Sequence, residues 1–448
     1  MSALINRRKF LIRSGAAAGL LLGGCAHRKI SENEERGAQR SARPTGGANE
    51  KLNLGIIGTA NRAAANLQYV SGENIVALCD VDANFLAAAQ QKFPRAAAYR
   101  DFRRMLERND LDAVVVSTPD HTHAVAAVAA LRSGRHVYCE KPLGRTVSEA
   151  RRMAEVARQH KRVTQMGTQI HATKNYRRVA VAVGGGVIGP VREVHVWASA
   201  SYTAAGLPVE HPPVPATLDW ELWLGPAAER PYSPKYVPAA WRSWWAFGGG
   251  GLADFGCHYM DLPQWALDLR APETIQAEGP PVHPEATPAW LIVRYEFPAC
   301  GGRPPVKLTW YNGVRNGQGV RPPQIAGGPV ADWDSGVLFI GEKGMLASGY
   351  FNHVLLPEKD FPAPPPPEGG GDNYEPKHHQ EWIQAIKSGG AASCNFDYAG
   401  TLAETVQLGN AAYRCGEKIL WDPARFQAVN NPGAAQYIHH HYRAGWKI

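Results

Sequence analysis

An aspartate and a histidine stand four residues apart in the glycine-rich run GGGGLADFGCHYMDLPQW, residues 248–265. Residues i and i+4 of a helix lie on one face, so a helix here would place Asp254 and His258 side by side, with Asp261 on an adjoining part of that face. A carboxylate and an imidazole so placed could carry out acid–base chemistry. An isolated pair of this kind is more often a buried structural histidine beside a helix-start carboxylate, so other residues must decide.

A lysine stands near the start of a second short motif, CEKPLG, residues 139–144. The proline after Lys141 favours an extended backbone at the lysine. The apolar run before it predicts a strand, which would put Lys141 at the carboxyl edge of a sheet, where ligands of open α/β sheets bind. From there its ammonium group could bond a substrate hydroxyl or carbonyl; the alternative is an ordinary surface lysine.

The elements that must position these groups begin at Leu52. Apolar runs of four to seven residues alternate with helical stretches such as HAVAAVAALRSG, a pattern typical of a parallel sheet covered on both faces. It predicts an α/β Rossmann domain over residues 51–168. The runs are LNLGIIG, NIVALCDVD, LDAVVVSTP and HVYCEKP.

The turn after the first strand, GTANRA at residues 58–63, raises the question of a cofactor. A dinucleotide fingerprint has three glycines at this point, and only Gly58 is present, with alanines in the other two places. Alanines are small enough for a phosphate to approach the helix N-terminus, whose free N–H groups favour an anion. Asp80, at the end of the second strand, stands where a carboxylate would bond the adenosine ribose and repel a 2′-phosphate, which favours NAD over NADP. A Rossmann-like domain without a nucleotide is the alternative. The residues predicted to contact the cofactor are Gly58, Thr59, Ala60, Asn61, Arg62, Asp80, Ser117, Pro119, Asp120, His123, Glu140, Lys141 and Gln169.

The N-terminus is predicted to be a targeting segment. Paired arginines, Arg7 and Arg8, precede an apolar run too short to span a bilayer. They resemble a twin-arginine export signal, and LLGGC resembles a lipobox in which Cys25 is acylated. We therefore predict a signal and lipobox over residues 1–25 and a flexible tether over 26–50, in a periplasmic or cell-envelope lipoprotein whose only membrane contact is its lipid. Cleavage by another signal peptidase, which would release the protein, is the alternative.

Charge and cysteine content exclude other classes. The formal charge is +8, and residues 1–24 hold four basic residues and no acid, so the remainder carries only +4. That argues against a nucleic-acid partner and against a polybasic membrane patch. The cysteines lack metal-like spacing, and we predict that Cys79, Cys139 and Cys257 are small core residues, while Cys300 or Cys394 could form a disulfide after export. No metal site is predicted, and the run His439–His441 is interpreted as surface.

Taken together, these motifs resemble the glucose–fructose oxidoreductase/inositol dehydrogenase (Gfo/Idh/MocA) family. The resemblance rests on GIIG, LCDVD, STPDHTH and EKPL followed by GGGGLADFGCH, and it covers nearly all of residues 52–446. The chain further resembles the family's exported bacterial branch through DWELWLGPA, WRSWWAFGGGG and FDYAGTLAETVQLGNAAYRCGEKILWD. The resemblance implies an α/β Rossmann domain followed by an α+β domain with a large, mostly antiparallel open sheet, here residues 169–448.

The resemblance also implies roles for the residues above. The lysine of the EKP motif and the Asp and His of the D-x-x-x-H motif surround the reacting carbon of a sugar or polyol, which here are Lys141, Asp254 and His258. His258, with an ordinary pKa near neutrality, is the expected base, and the other two would orient the substrate and tune that base. The preceding glycines would lead the chain past the cofactor without filling the pocket.

Aromatic residues are abundant around the expected site and could stack on sugar rings, although tryptophan-rich segments also serve as core packing or dimer contacts. The aromatic residues considered are Trp220, Trp223, Trp241, Trp244, Trp245 and Tyr202. The residues predicted to contact substrate are His171, Tyr176, Tyr202, Arg242 and Trp244.

Three functions remain open. The first is an exported NAD-dependent oxidoreductase acting on a sugar, polyol or glycoside, with the cofactor held tightly because free NAD is scarce outside the cytoplasm. The second is an NAD-dependent glycoside hydrolase working by oxidation, elimination, hydration and reduction; the Tyr/His pair expected of the acetylgalactosaminidase subgroup is not recognisable here. The third is a non-catalytic glycan-binding lipoprotein. A homo-oligomer is possible under each.

Overall fold

The computed structural model describes residues 50–204, 206–361 and 372–448. The predicted export signal, the lipidation site Cys25 and the tether up to residue 49 lie outside the described residues. Among the described residues, no helix is both long and apolar enough to cross a membrane.

The first part of the chain forms a six-stranded sheet, all parallel, in the order β3-β2-β1-β4-β5-β6. The central strand AVVV is buried along its whole length, as expected for a strand covered on both faces. Its strands are β1 (Asn53–Ile57), β2 (Asn74–Cys79), β3 (Ala97–Tyr99), β4 (Ala113–Val116), β5 (His136–Glu140) and β6 (Thr164–Gly167). Its helices are α1 (Arg62–Val70), α2 (Ala83–Lys92), α3 (Phe102–Met105), α4 (Asp120–Arg132) and α5 (Val147–His160).

The second part is built on a ten-stranded sheet that is antiparallel except where β7 and β10 pair. The path runs β14-β13-β12-β7-β10-β9-β8-β15-β16, with β11 added to β10. The strands are β7 (Val191–Ala198), β8 (Thr274–Glu278), β9 (Trp290–Phe297), β10 (Val306–Arg315), β11 (Gln318–Gly319), β12 (Ser335–Gly341), β13 (Met345–Ser348), β14 (His353–Leu356), β15 (Ile419–Asp422) and β16 (Gln427–Ala428). The helices are α6 (Lys174–Gly184), α7 (Trp220–Leu224), α8 (Gly250–Tyr259), α9 (Asp261–Leu267), α10 (Tyr374–Ser388), α11 (Phe396–Cys415) and α12 (Ala435–Ile438). The predicted fold class is confirmed.

Helix α10 crosses the predicted domain boundary. Its residues Trp382, Ile383 and Ile386 are buried in one core cluster with Leu54 and Ile56 of β1. The division at residues 168 and 169 stays a prediction; a helix that follows it in the sequence completes the core under the Rossmann sheet.

The cysteines that the sequence assigns to the core are there. Cys79, Cys139 and Cys257 are buried and unbridged, which confirms that prediction. Cys300 is exposed, and Cys394 is buried; both are free thiols, with no disulfide to another cysteine of the described residues.

Candidate active site

One cavity of about 710 Å³ runs along the carboxyl edge of the parallel sheet and reaches helix α8 of the second part. Its volume lies in the range of ligand and cofactor pockets. All thirteen residues predicted to contact a cofactor line it, as do Lys141, Asp254 and His258.

The turn at Gly58 tests whether the cavity fits a dinucleotide. Gly58 has φ +87°, and a Cβ added there would lie 2.6 Å from the backbone oxygen of Ser117. Only glycine permits this approach of the turn after β1 to the end of β4. Asn61, the N-cap residue of α1, makes no side-chain capping bond, so the first N–H groups of the helix are not capped by that side chain. An open helix N-terminus behind a glycine turn fits a pyrophosphate.

Asp80 lies at the end of β2, where the adenosine ribose of a dinucleotide would lie. Its Oδ2 accepts bonds from the backbone N–H of Thr59 at 2.8 Å and from the Thr59 hydroxyl at 2.9 Å. Burial raises the pKa of Asp80, and the bonds from Asp82 and Thr59 partly offset that effect. The carboxylate is thus fixed in place and keeps accepting capacity for ribose hydroxyls.

Glu140 and Gln169 form a buried polar cluster in the wall of the cavity. Oε1 of Glu140 accepts bonds from Gln169 Nε2 at 2.7 Å and from Asn66 Nδ2 at 2.8 Å. A Cβ at Gly167 would lie 2.6 Å from the Glu140 carboxyl group, which explains the glycine at the end of β6. Sequence reasoning missed Asn66, because an asparagine inside an amphipathic helix carries no signal of a long-range partner.

His123 joins two of the loops that line the cavity. Its Nδ1 lies 2.8 Å from the carbonyl oxygen of Pro142, and its Nε2 lies 2.8 Å from that of Thr118. Burial lowers its pKa. The ring therefore fixes the loop between β4 and α4 against the EKP loop that carries Lys141.

Asp254 is the centre of the charged groups in the cavity. Lys141 Nζ donates to the Asp254 carboxylate and to its backbone oxygen, the latter at 2.8 Å. Arg242 Nε donates to Oδ1 at 3.1 Å, and the Tyr202 hydroxyl donates to Oδ2 at 2.8 Å. Burial alone would raise the pKa of Asp254, but the charges of Lys141 and Arg242 outweigh it and hold that pKa well below its usual range. Asp254 is therefore a fixed anion that orients Lys141.

His258 lies on the same helix, one turn further on. Burial lowers its pKa to about 3, and the charge of Lys141 contributes to the shift. Its Nδ1 is enclosed and has no hydrogen-bond partner among the described residues. The expectation of a near-neutral pKa was wrong: the imidazole is neutral throughout the physiological range, because its surroundings penalise a second positive charge beside Lys141.

Only one of the five predicted substrate contacts, Arg242, lines the cavity. Tyr202 does not line it but contacts residues that do: it donates to Asp254, stacks on Phe255 and lies under the guanidinium group of Arg242. Trp244 is a correction: it is 1% exposed and its Nε1 donates to the backbone oxygen of Lys235, so it packs the core. Of the other aromatic candidates, Trp223 and Trp241 line the cavity, whereas Trp220 and Trp245 do not.

His171 and Tyr176 are also corrections. His171 is buried, bonds Asp261 through Nδ1 at 2.9 Å and stacks on Trp265. Tyr176 is buried and donates to the backbone oxygen of His258. Asp261 does not share the face of Asp254, because α8 ends at Tyr259 and Asp261 begins α9, facing His171.

Tyr350 is a cavity residue that the sequence did not indicate. It lies in the turn after β13, and its ring stacks on Tyr259 with centroids 4.5 Å apart and lies 6.4 Å from the ring of His258. Its position depends on strand pairing far along the chain, so no local pattern could have found it.

A segment of the second part and the C-terminus cover the Asp80 end of the cavity. Leu218 pairs with Asp82 in an antiparallel bridge, and the backbone N–H of Ala83 donates to Thr217 at 2.9 Å. Trp446 lies beneath the guanidinium group of Arg103, 4.6 Å from ring centroid to Cζ. Leu218 and Trp446 both line the cavity and cover it at this end.

Comparison with known proteins agrees with this architecture. Residues 52–168 match the family model described as oxidoreductase family, NAD-binding Rossmann fold, and residues 192–302 match the model of its C-terminal alpha/beta domain. The chain belongs to the Gfo/Idh/MocA oxidoreductase family. Its first domain is therefore an NAD-binding Rossmann domain, and the geometry at Gly58 and Asp80 fits that cofactor.

Within the family, the chain is similar to inositol 2-dehydrogenase of Salmonella typhimurium, 33% identical over 147 residues, which is 32% of this chain and 43% of that protein. It is also similar to a glycosyl hydrolase family 109 protein of Saccharopolyspora erythraea, 32% identical over 205 residues, which is 41% of this chain and 44% of that protein. The matches thus span less than half the length of these curated relatives.

Solved structures of other proteins show a similar fold over most of the chain. Levoglucosan dehydrogenase in complex with NADH and levoglucosan has a TM-score of 0.58 at 18% identity, covering 83% of this chain and 99% of that one. The WlbA dehydrogenase of Bordetella pertussis in complex with NADH and UDP-GlcNAcA has a TM-score of 0.60 at 16% identity, covering 83% and 99%.

Proposed function

We propose that this protein oxidises a CH–OH group of a sugar, polyol or glycoside. The observation that carries the proposal is that Asp254 and His258 of α8 line one cavity with Lys141, more than a hundred residues earlier, and with the Gly58 turn of an NAD-binding domain. NAD, when bound, supplies an acceptor for the hydride of the carbinol carbon. Inositol 2-dehydrogenase and levoglucosan dehydrogenase, to which the chain is similar, give the substrate class.

The side chains would handle the hydroxyl group of the substrate. A neutral imidazole has one nitrogen that accepts a hydrogen bond, so His258 can receive the hydroxyl proton at the moment the carbonyl forms. Lys141 uses two donor positions on Asp254, and its third N–H is left for the substrate oxygen. Arg242, held by Asp254, adds a second cation next to that oxygen. These donors stabilise negative charge on the oxygen as its proton leaves.

Cofactor retention and export form a further part of the proposal. The covered end of the cavity, with Leu218 and Trp446 over the Asp80 region, supports slow release of the nucleotide. Export and lipidation at Cys25 rest on the N-terminal sequence alone. A nucleotide held through turnover suits an exported enzyme, because it must then be restored within each catalytic cycle rather than replaced from solution. Asp80 favours NAD over NADP because its charge repels a 2′-phosphate.

The second candidate function is glycoside cleavage by oxidation, elimination, hydration and reduction. It is favoured by the similarity to the family 109 glycosyl hydrolase protein over 205 residues. The same carbinol oxidation begins both reactions, so the residues above would serve either. A non-catalytic glycan-binding protein is disfavoured by the three charged or polar groups of the catalytic motif in one cavity.

The test uses the protein as isolated. Denatured protein should release NAD, and addition of candidate sugars and glycosides should raise the absorbance of reduced nicotinamide. Release of a chromogenic aglycone without added NAD would assign the glycosidase cycle instead. Absence of any nucleotide, with no binding of added NAD, would contradict both and favour the binding protein.

A variant pair tests the role of His258. We expect His258→Ala to lower kcat by about 10²–10⁴-fold, the usual contribution of a positioned acid or base, and to leave the NAD content unchanged. His441→Ala, at an exposed histidine, is the matched control and should keep full activity. Unaltered turnover in His258→Ala would show that the proton acceptor lies elsewhere.

A further inference from the structure

The residues that handle the substrate hydroxyl come from two segments of the chain. Lys141 lies in the loop after β5, and Asp254 and His258 lie on α8. Lys141 and Asp254 bond each other although they are 113 residues apart in the sequence. The geometry of the reaction therefore depends on how the loop is held relative to α8.

Helix α11 contacts both segments through two amide side chains. Nε2 of Gln407 donates to the backbone oxygen of Gly144, in the loop of Lys141, at 3.1 Å. Nδ2 of Asn410 donates to the backbone oxygen of Gly249, the N-cap residue of α8, at 3.1 Å, and to Oε1 of Gln407 at 3.2 Å. Residues three apart on a helix share one face, so the two amides form a continuous chain of hydrogen bonds from the loop to α8. We call Gln407 and Asn410 the amide bridge.

The amide bridge is enclosed in the protein. Gln407 is 3% exposed and Asn410 is 5% exposed, and Gly144 and Gly249 are buried. A carbonyl oxygen only accepts, so each amide must turn its NH2 group toward its glycine. This leaves Oδ1 of Asn410 enclosed and without a hydrogen-bond partner among the described residues. An unpaired buried acceptor destabilises the fold, so packing alone does not account for an asparagine at this position.

Two glycines let other residues approach the start of α8. A Cβ added at Gly249 would lie 2.7 Å from Nδ2 of Asn410, so a larger residue would push the amide off the carbonyl oxygen. A Cβ added at Gly248 would lie 3.2 Å from the ring of Trp241, over which the guanidinium group of Arg242 lies. The segment that Asn410 holds therefore also supports the turn that carries Arg242.

The ion pair of Lys141 and Asp254 does not replace the amide bridge. A lysine side chain has a flexible four-carbon stem, so its ammonium group can follow Asp254 when the loop shifts. The ion pair would survive such a shift, but the third N–H of Lys141 would no longer reach the hydroxyl that His258 accepts from. A bond to the backbone of each segment removes that freedom.

Resting on the proposed function, we infer that Gln407 and Asn410 are positioning residues for the oxidation. By holding one carbonyl group of each segment, the amide bridge sets the distance between the ammonium group of Lys141 and the imidazole of His258. Neither Gln407 nor Asn410 is among the described residues that line the cavity, so both act through the two segments and not on the substrate. A displacement of about 1 Å can slow a reaction about 10²-fold even when its origin is remote from the reacting atoms.

The experiment removes each amide and keeps its size. Gln407→Met and Asn410→Leu retain the side-chain volume and lose the hydrogen bonds. Each should lower kcat for sugar oxidation about 10²-fold and leave the NAD content unchanged, because the Gly58 turn is not displaced. The double variant should lose no more than the larger single loss, because one broken link already disconnects the loop from α8.

A pH profile separates positioning from a structural role. Gln407→Glu can donate to Gly144 only while its carboxyl group is protonated, so its kcat relative to the wild type should exceed that of Gln407→Met and increase as the pH falls. Thr405→Val is the matched control, because it removes a buried hydrogen bond that stays within α11, from the Thr405 hydroxyl to the backbone oxygen of Thr401. It should lower the free energy of unfolding in urea and keep the wild-type kcat.

Each other outcome decides against a stated idea. Wild-type kcat in Gln407→Met and Asn410→Leu, or a Gln407→Glu variant as slow as Gln407→Met at every pH, would overturn the inference. Losses that multiply in the double variant would show that the two amides act separately and form no bridge. Loss of NAD from both single variants would overturn the inference in favour of support for the cofactor site.

Two further outcomes are also decisive. If Asn410→Leu does not fold, the comparison of Gln407→Met with Gln407→Glu decides in the same way. A wild type that oxidises no sugar and binds no NAD would overturn the proposed function, and the inference with it.

Discussion

Replacing Gly58 by alanine tests the close approach on which the cofactor site depends. Two costs are expected. The first is the left-handed backbone, φ +87°, which costs an alanine about 1–2 kcal/mol. The second is the contact of the new Cβ with the Ser117 backbone oxygen at 2.6 Å, which can be relieved only by moving the ends of β1 and β4 apart and adds about 1–3 kcal/mol. The free energy of unfolding should therefore fall by about 2–5 kcal/mol.

Gly134 provides the matched control for the first cost. It has φ +85°, is exposed, and a Cβ added there meets no atom within 4 Å. Gly134→Ala should lose only the backbone term, about 1–2 kcal/mol. The difference between the two variants in urea unfolding, followed by the fluorescence of the protein's 13 tryptophans, isolates the steric term.

The same two variants separate stability from nucleotide binding. Calorimetric titration with NAD should show weaker binding by Gly58→Ala, because displacement of the turn moves the helix N–H groups away from the pyrophosphate. Gly134→Ala should bind as the wild type does. Equal losses of stability in the two variants, or unchanged NAD affinity in Gly58→Ala, would refute the reasoning.

Two further variants test the charges of the cavity. Asp80→Asn should narrow the preference for NAD over NADP in calorimetric titrations, since the charge that repels a 2′-phosphate is removed; an unchanged preference would contradict that role. Asp254→Asn should cost about 3–5 kcal/mol of unfolding free energy near pH 7, because Lys141 and Arg242 lose their shared anion in a buried setting. The pKa of Asp254 is lower in the folded protein than in the unfolded chain. The wild type therefore keeps this stabilisation at every pH above the ordinary pKa of aspartate, and loses it only in strong acid, as the pH falls through the folded pKa. If the wild type and Asp254→Asn had equal free energies of unfolding near neutral pH, the ion pairs of Asp254 with Lys141 and Arg242 would contribute nothing to stability.

Local patterns were sufficient for the Rossmann half of the site. The roles of the apolar run AVVV, of Gly58 and of Asp80 can each be predicted from the residues next to them in the sequence. The carboxyl edge of the sheet that these strands form brings the thirteen predicted cofactor contacts into one cavity. The i, i+4 spacing of Asp254 and His258 on α8 was predictable for the same reason.

Properties set by long-range packing were not predictable. The low pKa of His258 depends on burial and on Lys141, which lies more than a hundred residues earlier. Trp241 lines the cavity, whereas Trp244, three residues later, packs in the core. The two side chains point in different directions because of the short turn that holds them, and the spacing of apolar residues does not predict that turn. The partner of Asp254 at Tyr202 and the docking of α10 depend on chain topology rather than local sequence.

Helix α10 has a consequence for how the protein is made. Three residues of α10 fill an apolar slot under the Rossmann sheet: Trp382, Ile383 and Ile386. That slot stays open until the ribosome has released residues 374–388. A nascent chain that stops at residue 168 would present that apolar slot to water, so the nucleotide-binding half cannot mature ahead of the rest in the usual domain-by-domain order. Synthesis of this chain therefore delays a finished NAD cleft until most of the substrate half has also emerged.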